Sequence, residues 1–358
     1  MNIYLENGYL DIPEIVKYMD DNLIPYCFFV GQRGVGKSYG VLKYMVCQQS
    51  DPFVYFRLSA SETDMLMNDK YNPFKKLNSN EGTCIHFKKV PHVAHDLDII
   101  DLSPETKRGD IGLATPLDVF AKTRGADLSD FKICFLDEFI PEQTIRKTKG
   151  EGVALKQAFE TINRNRELEG EKPLKFLCAA NTNNLNNEIL IDFKLIPMIE
   201  TMQKKDYEWY CKDGILIIYP MHSPISEKKA ETALYKSAAG SGSFRDMALF
   251  NKFARHYTGN IEQITLNKTF EMKFIYKDLL FVRGEEFWYV TEATLGAISK
   301  VKGNIEKVPM FGDSDYEMVQ LKRKYYYLTE LYFNECIKFE RADLELQFVN
   351  LFKLDKKA

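Results

Sequence analysis

The 358-residue sequence has two tryptophans and five histidines, and none of its seven cysteines falls in a C-x-x-C pair. Structural zinc sites and disulfide frameworks draw on these residues at tight spacing, so neither is expected to organise the fold. Cys27, Cys134 and Cys178 lie in apolar strand-like runs, where reduced cysteine is a small core residue. Long hydrophobic runs are missing too. Tyr26–Val30 and Ile215–Tyr219 are strand-sized, far short of the ~20 residues of a membrane span. The opening MNIYLENGYLDIPEIV is acidic and polar, unlike the basic-then-apolar pattern of a secretory leader. Nor does one sign of charge dominate: the net charge is −3, so any nucleic-acid contact has to come from local basic clusters.

What is present is ample core material, 45% hydrophobic residues in a chain long enough for two domains. Residues 1–220 alternate short apolar runs with helix-like stretches, the pattern of an α/β domain with a largely parallel sheet. Strands are predicted at Tyr26–Val30, Phe53–Arg57, Phe131–Leu136 and Leu174–Ala179, and helices at Lys37–Gln49 and Val153–Leu168. Asp213-Gly214 marks a hairpin between Tyr207–Cys211 and Ile215–Tyr219. Residues 221–260 read as a helical linker, with basic helices at Ser226–Ser237 and Arg245–His256 around a Gly/Ser/Ala tract. Residues 261–358 form a smaller α+β domain that begins with strands and closes with a helix over Lys322–Arg341.

The strongest chemical signal is Gly31-Gln32-Arg33-Gly34-Val35-Gly36-Lys37-Ser38, a full G-x-x-x-x-G-K-[ST] match between an apolar strand and a helix. Its glycines let successive backbone N–H groups turn inward around a phosphate, and the helix start faces the same anion. Lys37 is expected on the β/γ-phosphates of ATP and Ser38 on Mg²⁺. Leu136-Asp137-Glu138 ends a buried strand: Asp137 suits the metal's water shell and Glu138 suits a general base that polarises the attacking water. A solvated acidic turn is the plain alternative for that pair taken alone. Asn181 follows another apolar strand and is a candidate to sense the γ-phosphate or align water, or else a simple turn residue. Arg164 and Arg166 end a helix, where a guanidinium either stabilises transferring phosphoryl charge or only complements the helix dipole. Arg146, Lys147 and Lys149 form a basic loop able to grip DNA phosphates without sequence preference, or a solvated surface.

Together these segments resemble the phi-29-type DNA-packaging ATPases of small tailed bacteriophages. The resemblance rests on Phe29–Ser38, Phe53–Arg57, Phe135–Ile140 and Arg164–Glu167 followed by Cys178–Asn181, and covers about residues 20–185. It implies a P-loop, RecA-like additional-strand ATPase domain, a helical linker and a small RNase H-like C-terminal domain. It further implies a homopentameric ring at the portal vertex of the procapsid that uses ATP to drive double-stranded DNA inward, in some members with a structural packaging RNA. The setting would be the cytoplasm of the infected host, with no membrane partner. Arg164 matches the family's trans-acting arginine finger, and Arg124, after strand-like Leu117–Phe120, falls near a basic residue that acts between subunits, with Arg in place of Lys. Glu271, Asp278, Glu285, Glu286 and Glu292 do not align into a nuclease carboxylate set, so a vestigial, non-cutting C-terminal domain is expected. Two rivals share the P-loop: another DNA translocase or helicase, and a nucleotide-controlled assembly switch, which has less need of a base such as Glu138.

Overall fold

In a computed structural model of the chain, the apolar runs of the first half become one nine-stranded sheet. The structure describes all residues except 105–107, 121–127, 142–149, 183, 237–259 and 355–358. The chain divides into two compact units, Met1–Ala254 and Arg255–Ala358.

The strands of the first unit are β1 (Tyr26–Val30), β2 (Phe53–Arg57), β3 (Ile85–Lys89), β4 (Leu97–Asp101), β5 (Gly109–Pro116), β6 (Ile133–Asp137), β7 (Lys175–Ala180), β8 (Trp209–Lys212) and β9 (Ile215–Ile218). They lie side by side in the order β3-β4-β5-β2-β6-β7-β1-β9-β8. The six from β5 to β9 in that order run parallel. Antiparallel β4 and β3 extend one edge, and antiparallel β8 extends the other. Strands buried on both faces read as unbroken apolar runs, which is why β1, β6 and β7 are legible in the sequence.

Register decides where the chemistry falls. Strand β7 lies between β1 and β6, with Val30 opposite Ala180 and Asp137 opposite Ala179. Phe56 of β2 stands opposite Leu136. The carboxyl ends of four parallel strands therefore finish at one level, the crevice where open α/β sheets bind ligands. Below it the core is aromatic: the Phe28 ring meets Phe139 at 5.7 Å and Phe193 at 5.2 Å.

Several local expectations are corrected. The helix expected over Lys37–Gln49 is α-helical only to Lys43 and continues as a π-turn at Tyr44–Gln48. The one expected over Val153–Leu168 spans Glu151–Asn163 and stops because Arg164 turns to a positive φ of 47°. Strands β3 to β5 escape a search for apolar runs because they are half-exposed and partly polar. Leu117–Phe120 forms turns beyond β5, not a strand. Within residues 221–260 the described helices are short, Pro224–Ala230 and Ala233–Lys236, and the predicted helix Arg245–His256 lies outside the described residues.

The second unit holds β10 (Glu271–Tyr276), β11 (Leu279–Arg283), β12 (Trp288–Glu292), β13 (Met310–Phe311) and β14 (Ile337–Phe339) in the order β13-β10-β11-β12-β14. The central three form an antiparallel meander, with parallel strands at both edges. The single helix expected over Lys322–Arg341 is replaced by helices Asp315–Tyr325 and Leu328–Phe333 and by β14. Glu335, at a positive φ of 56°, breaks the run. A last helix, Ala342–Phe352, packs Phe348 and Phe352 into the same core.

Gly112 sits in β5 where a Cβ would collide with the Phe53 carbonyl oxygen of β2. Gly112→Ala should therefore lower stability by about 1–3 kcal/mol, the usual cost of forcing atoms into a packed core. The check is the urea midpoint of the variant against the parent; an unchanged midpoint would show that β2 and β5 can separate freely.

Candidate functional site

The loop after β1 needs two left-handed residues in quick succession, and glycine supplies both: Gly34 has φ 87° and Gly36 has φ 89°. At Gly36 the space is also taken, since a Cβ would lie 3.1 Å from Cδ1 of Tyr9. The loop is tied to the sheet by the Gly31 N–H, which donates to the Ala180 carbonyl at 3.1 Å. Lys37 opens the helix that follows.

The Lys37 ammonium is buried and donates to three oxygens: the Gly31 carbonyl at 2.9 Å, the Gln32 carbonyl at 2.6 Å and Asn181 Oδ1 at 3.1 Å. Burial pulls it down to about 7, against the pull of Asp137 and with the help of nearby Lys229 and Arg33. Ser38 Oγ donates to Asp137 Oδ1 at 2.6 Å, and the buried Tyr55 hydroxyl donates to Oδ2 at 3.3 Å. Burial pushes the Asp137 carboxyl above its ordinary range, while Ser38 and Arg57 oppose that shift.

Glu138 leaves β6 at a positive φ of 58°, a conformation that costs a non-glycine residue about 1–3 kcal/mol and collects at functional sites. Its carboxylate, unlike that of Asp137, is largely exposed. Arg57, at the end of β2, holds it at 3.0 Å and also lies 3.9 Å from Asp137 and 3.6 Å from Glu62. The sequence therefore brings Lys37, Ser38, Asp137, Glu138 and Asn181 together.

These groups fit a nucleoside triphosphate with Mg²⁺. The left-handed Gly34 and Gly36 let successive backbone N–H groups face an anion, and a hydroxyl and a carboxylate in contact form an all-oxygen donor pair that suits a hard cation.

The comparisons agree with this architecture. The family model described as Podovirus DNA encapsidation protein (Gp16) matches residues 16–344. The chain belongs to this family. As a member it is a DNA-packaging protein. The DNA packaging protein of Bacillus phage phi29 is 24% identical over 258 residues, covering 70% of this chain and 68% of that one. The corresponding protein of Bacillus phage B103 is 25% identical over 260 residues, 70% of this chain and 71% of its own. Among solved structures, a chain of the bacteriophage Phi-29 viral genome packaging motor assembly aligns with a TM-score of 0.61 at 16% identity, covering 96% of this chain and 98% of that one. The Phi-28 gp11 DNA packaging motor gives 0.59 at 17% identity with the same coverages.

Other predicted site residues of this packaging protein separate. Arg164 is exposed at the end of its helix, in the unusual backbone conformation φ 47°, ψ −123°. Arg166 is instead buried, and its guanidinium donates to the carbonyls of Ser129 and of Phe131, the latter at 2.6 Å. Those bonds tie Arg166 to the entry of β6 within its own chain. Arg124, Arg146, Lys147 and Lys149 lie outside the described residues. Sequence reasoning missed Arg57, Tyr55 and Lys229 as site residues. Arg57 ends an apolar strand as Asp137 does, which was the available signal.

Because Lys37 titrates near 7, it is already charged below that pH and binds phosphate without taking up a proton. Above it, binding draws in a proton, so affinity should fall with rising pH by up to about tenfold per unit. Calorimetric titration with inorganic triphosphate from about pH 6 to about pH 9, in buffers of different ionisation heat, should show proton uptake growing above neutrality. Lys37→Met should lose that uptake; a pH-independent wild-type profile would contradict the assignment.

Proposed function

We propose that this chain is the ATPase subunit of the packaging motor, hydrolysing ATP to drive double-stranded DNA into a procapsid. The observation that carries the reading is the convergence of Lys37, Ser38, Asp137 and Asn181 at the ends of β1, β6 and β7, with Glu138 next in the chain. When bound, ATP would supply the phosphoryl group, and Mg²⁺ would neutralise the charge that develops on it. The backbone N–H groups of residues 31–36 cradle the phosphates, and Lys37 exchanges its carbonyl partners for phosphate oxygens. Ser38 and Asp137 would hold the metal. Glu138, once parted from Arg57, orients and deprotonates the attacking water, and Asn181 aligns it from the neighbouring strand.

Arg164 acts on the site of an adjacent subunit, a role supported by its exposure and by its place in the family pattern. On the same footing the motor is a homopentameric ring on the portal vertex in the host cytoplasm, in some settings joined by a structural RNA. Arg124 works between subunits, and Arg146, Lys147 and Lys149 touch DNA phosphates. The working division is an ATPase domain over 1–220, a linker over 221–260 and an RNase H-like, non-cutting domain over 261–358.

Glu138→Gln should reduce ATP hydrolysis by about 10²–10⁴-fold while leaving ATP binding intact, the usual contribution of a positioned base. Linear double-stranded DNA should stimulate the parent and not Lys37→Ala; turnover by Glu138→Gln at the parent rate would overturn the base assignment. Arg164→Ala should be inactive alone but regain part of its turnover when mixed with Lys37→Ala, since each then supplies what the other lacks. Mixed rings with no recovered turnover would place Arg164 outside the neighbour's site.

A further inference from the structure

Lys229 belongs to helix Pro224–Ala230, remote in sequence from the glycine-rich loop, yet its ammonium donates to the Arg33 carbonyl of that loop at 2.7 Å. It stands over Gly34: a Cβ built there would meet Lys229 Nζ at 3.3 Å. The helix is fixed at its start, where the Ser223 hydroxyl donates to the Gly8 carbonyl at 3.4 Å and Pro224 packs against Gly8. Gln32 reaches the same segment, donating to the Pro220 carbonyl at 3.3 Å. The approach of Lys229 is therefore built into the fold of the first unit.

Its surroundings make this placement costly. Lys229 is half-buried, and burial together with Arg33 pulls its ammonium below the ordinary lysine range. Lys37 feels Lys229 and Arg33 as like charges. Among the described side chains no carboxylate pairs with Lys229; besides the Arg33 carbonyl it has the Tyr235 ring, 5.7 Å away. The Lys37 and Lys229 ammonium groups, held around one loop, repel each other unless an anion joins them. Asp137 and Glu138 offset Lys37, but they serve the other side of the loop.

We infer that Lys229 is a phosphate ligand of the nucleotide site, contributed from beyond the last parallel strand and additional to the glycine-rich loop and Lys37. This rests on the ATPase reading above and adds a consequence to it. The helix carrying Lys229 lies on the stretch that leads toward the second unit, so nucleotide occupancy and phosphate number bear on that stretch through one ammonium.

The test uses the full chain and Lys229→Met, which keeps the aliphatic stem against Tyr235 and removes only the charge. Equilibrium titration with AMP, ADP and a slowly hydrolysed ATP analogue should show a loss that grows with phosphate number. AMP should bind as to the parent, and the triphosphate about tenfold to hundredfold more weakly, the range of one charge-assisted hydrogen bond. Equal loss for all three nucleotides would make Lys229 a merely structural prop and overturn the inference, as would parental affinity for the triphosphate. Inorganic triphosphate should compete for the parent site, while a short DNA duplex should not; competition by the duplex alone would reassign the cation cluster to DNA. Lys37→Ala separates the two levels of the argument. If the parent binds ATP and Lys37→Ala does not, but Lys229→Met binds normally, this inference fails alone. If the parent binds no nucleotide, the ATPase reading fails with it.

Discussion

A desolvated ammonium is the constraint around which this site is built. Lys37 is buried at the first turn of its helix, where the backbone already presents positive charge, so it has to be surrounded by oxygen. Two of its three oxygens are carbonyls of its own loop, and they point inward because Gly34 and Gly36 take left-handed conformations. The third comes from Asn181, which reaches Lys37 because β7 pairs directly with β1. The same pairing order sets Asp137 one strand further on, within hydrogen-bond reach of Ser38. Moving β7 elsewhere in the sheet would strip Lys37 of Asn181 and part Ser38 from Asp137 at once. Sheet order and site chemistry are one constraint seen at two scales.

A second electrostatic unit sits beside the first. Arg57 pairs with Glu138, the carboxylate assigned the work of a base, and lies near Asp137 and Glu62 as well. A carboxylate oxygen occupied by a guanidinium is not available to accept a proton from water. Glu138 is nevertheless largely exposed and its backbone is held left-handed, so the pairing is made at a solvent-accessible point that other charges can reach. A triphosphate arriving beside Lys37 would compete with Glu138 for Arg57, and release of the base would then follow from binding. Arg57 thereby links the end of β2 to the proposed chemistry through charge alone.

Legibility in the sequence followed the physics of each element. Strands β1, β2, β6 and β7 each carry an unbroken apolar run of four or five residues, and each could be placed within two residues. The glycine-rich loop and Asp137-Glu138 were readable because their chemistry needs fixed residue types at fixed spacing. Strands β3 to β5 were not, since one exposed face leaves only a weak alternation, as in Leu97-Asp98-Ile99. The helix expected to run to Leu168 stopped at Asn163, whose Oδ1 accepts the Leu174 N–H and so turns the chain toward β7. Arg57 and Lys229 carry no motif. They become site residues only through strand order and the return of a late helix to an early loop, which are long-range facts that no local pattern encodes.

Arg164 and Arg166 show how two neighbours with the same side chain come to different ends. Asn163 and Arg166 are buried and bonded to the chain on either side of the turn, so the backbone between them is fixed. Arg164 then has to bridge the end of the helix and that fixed turn, and it does so at φ 47°, ψ −123°, far from the conformations an arginine prefers. A glycine there would relieve the strain. An exposed arginine held in so strained a backbone is the kind of outlier that collects at functional sites. Arg166, bonded to the carbonyls before β6, fixes the turn from which Arg164 projects, so one arginine is spent on the fold and its neighbour is left at the surface.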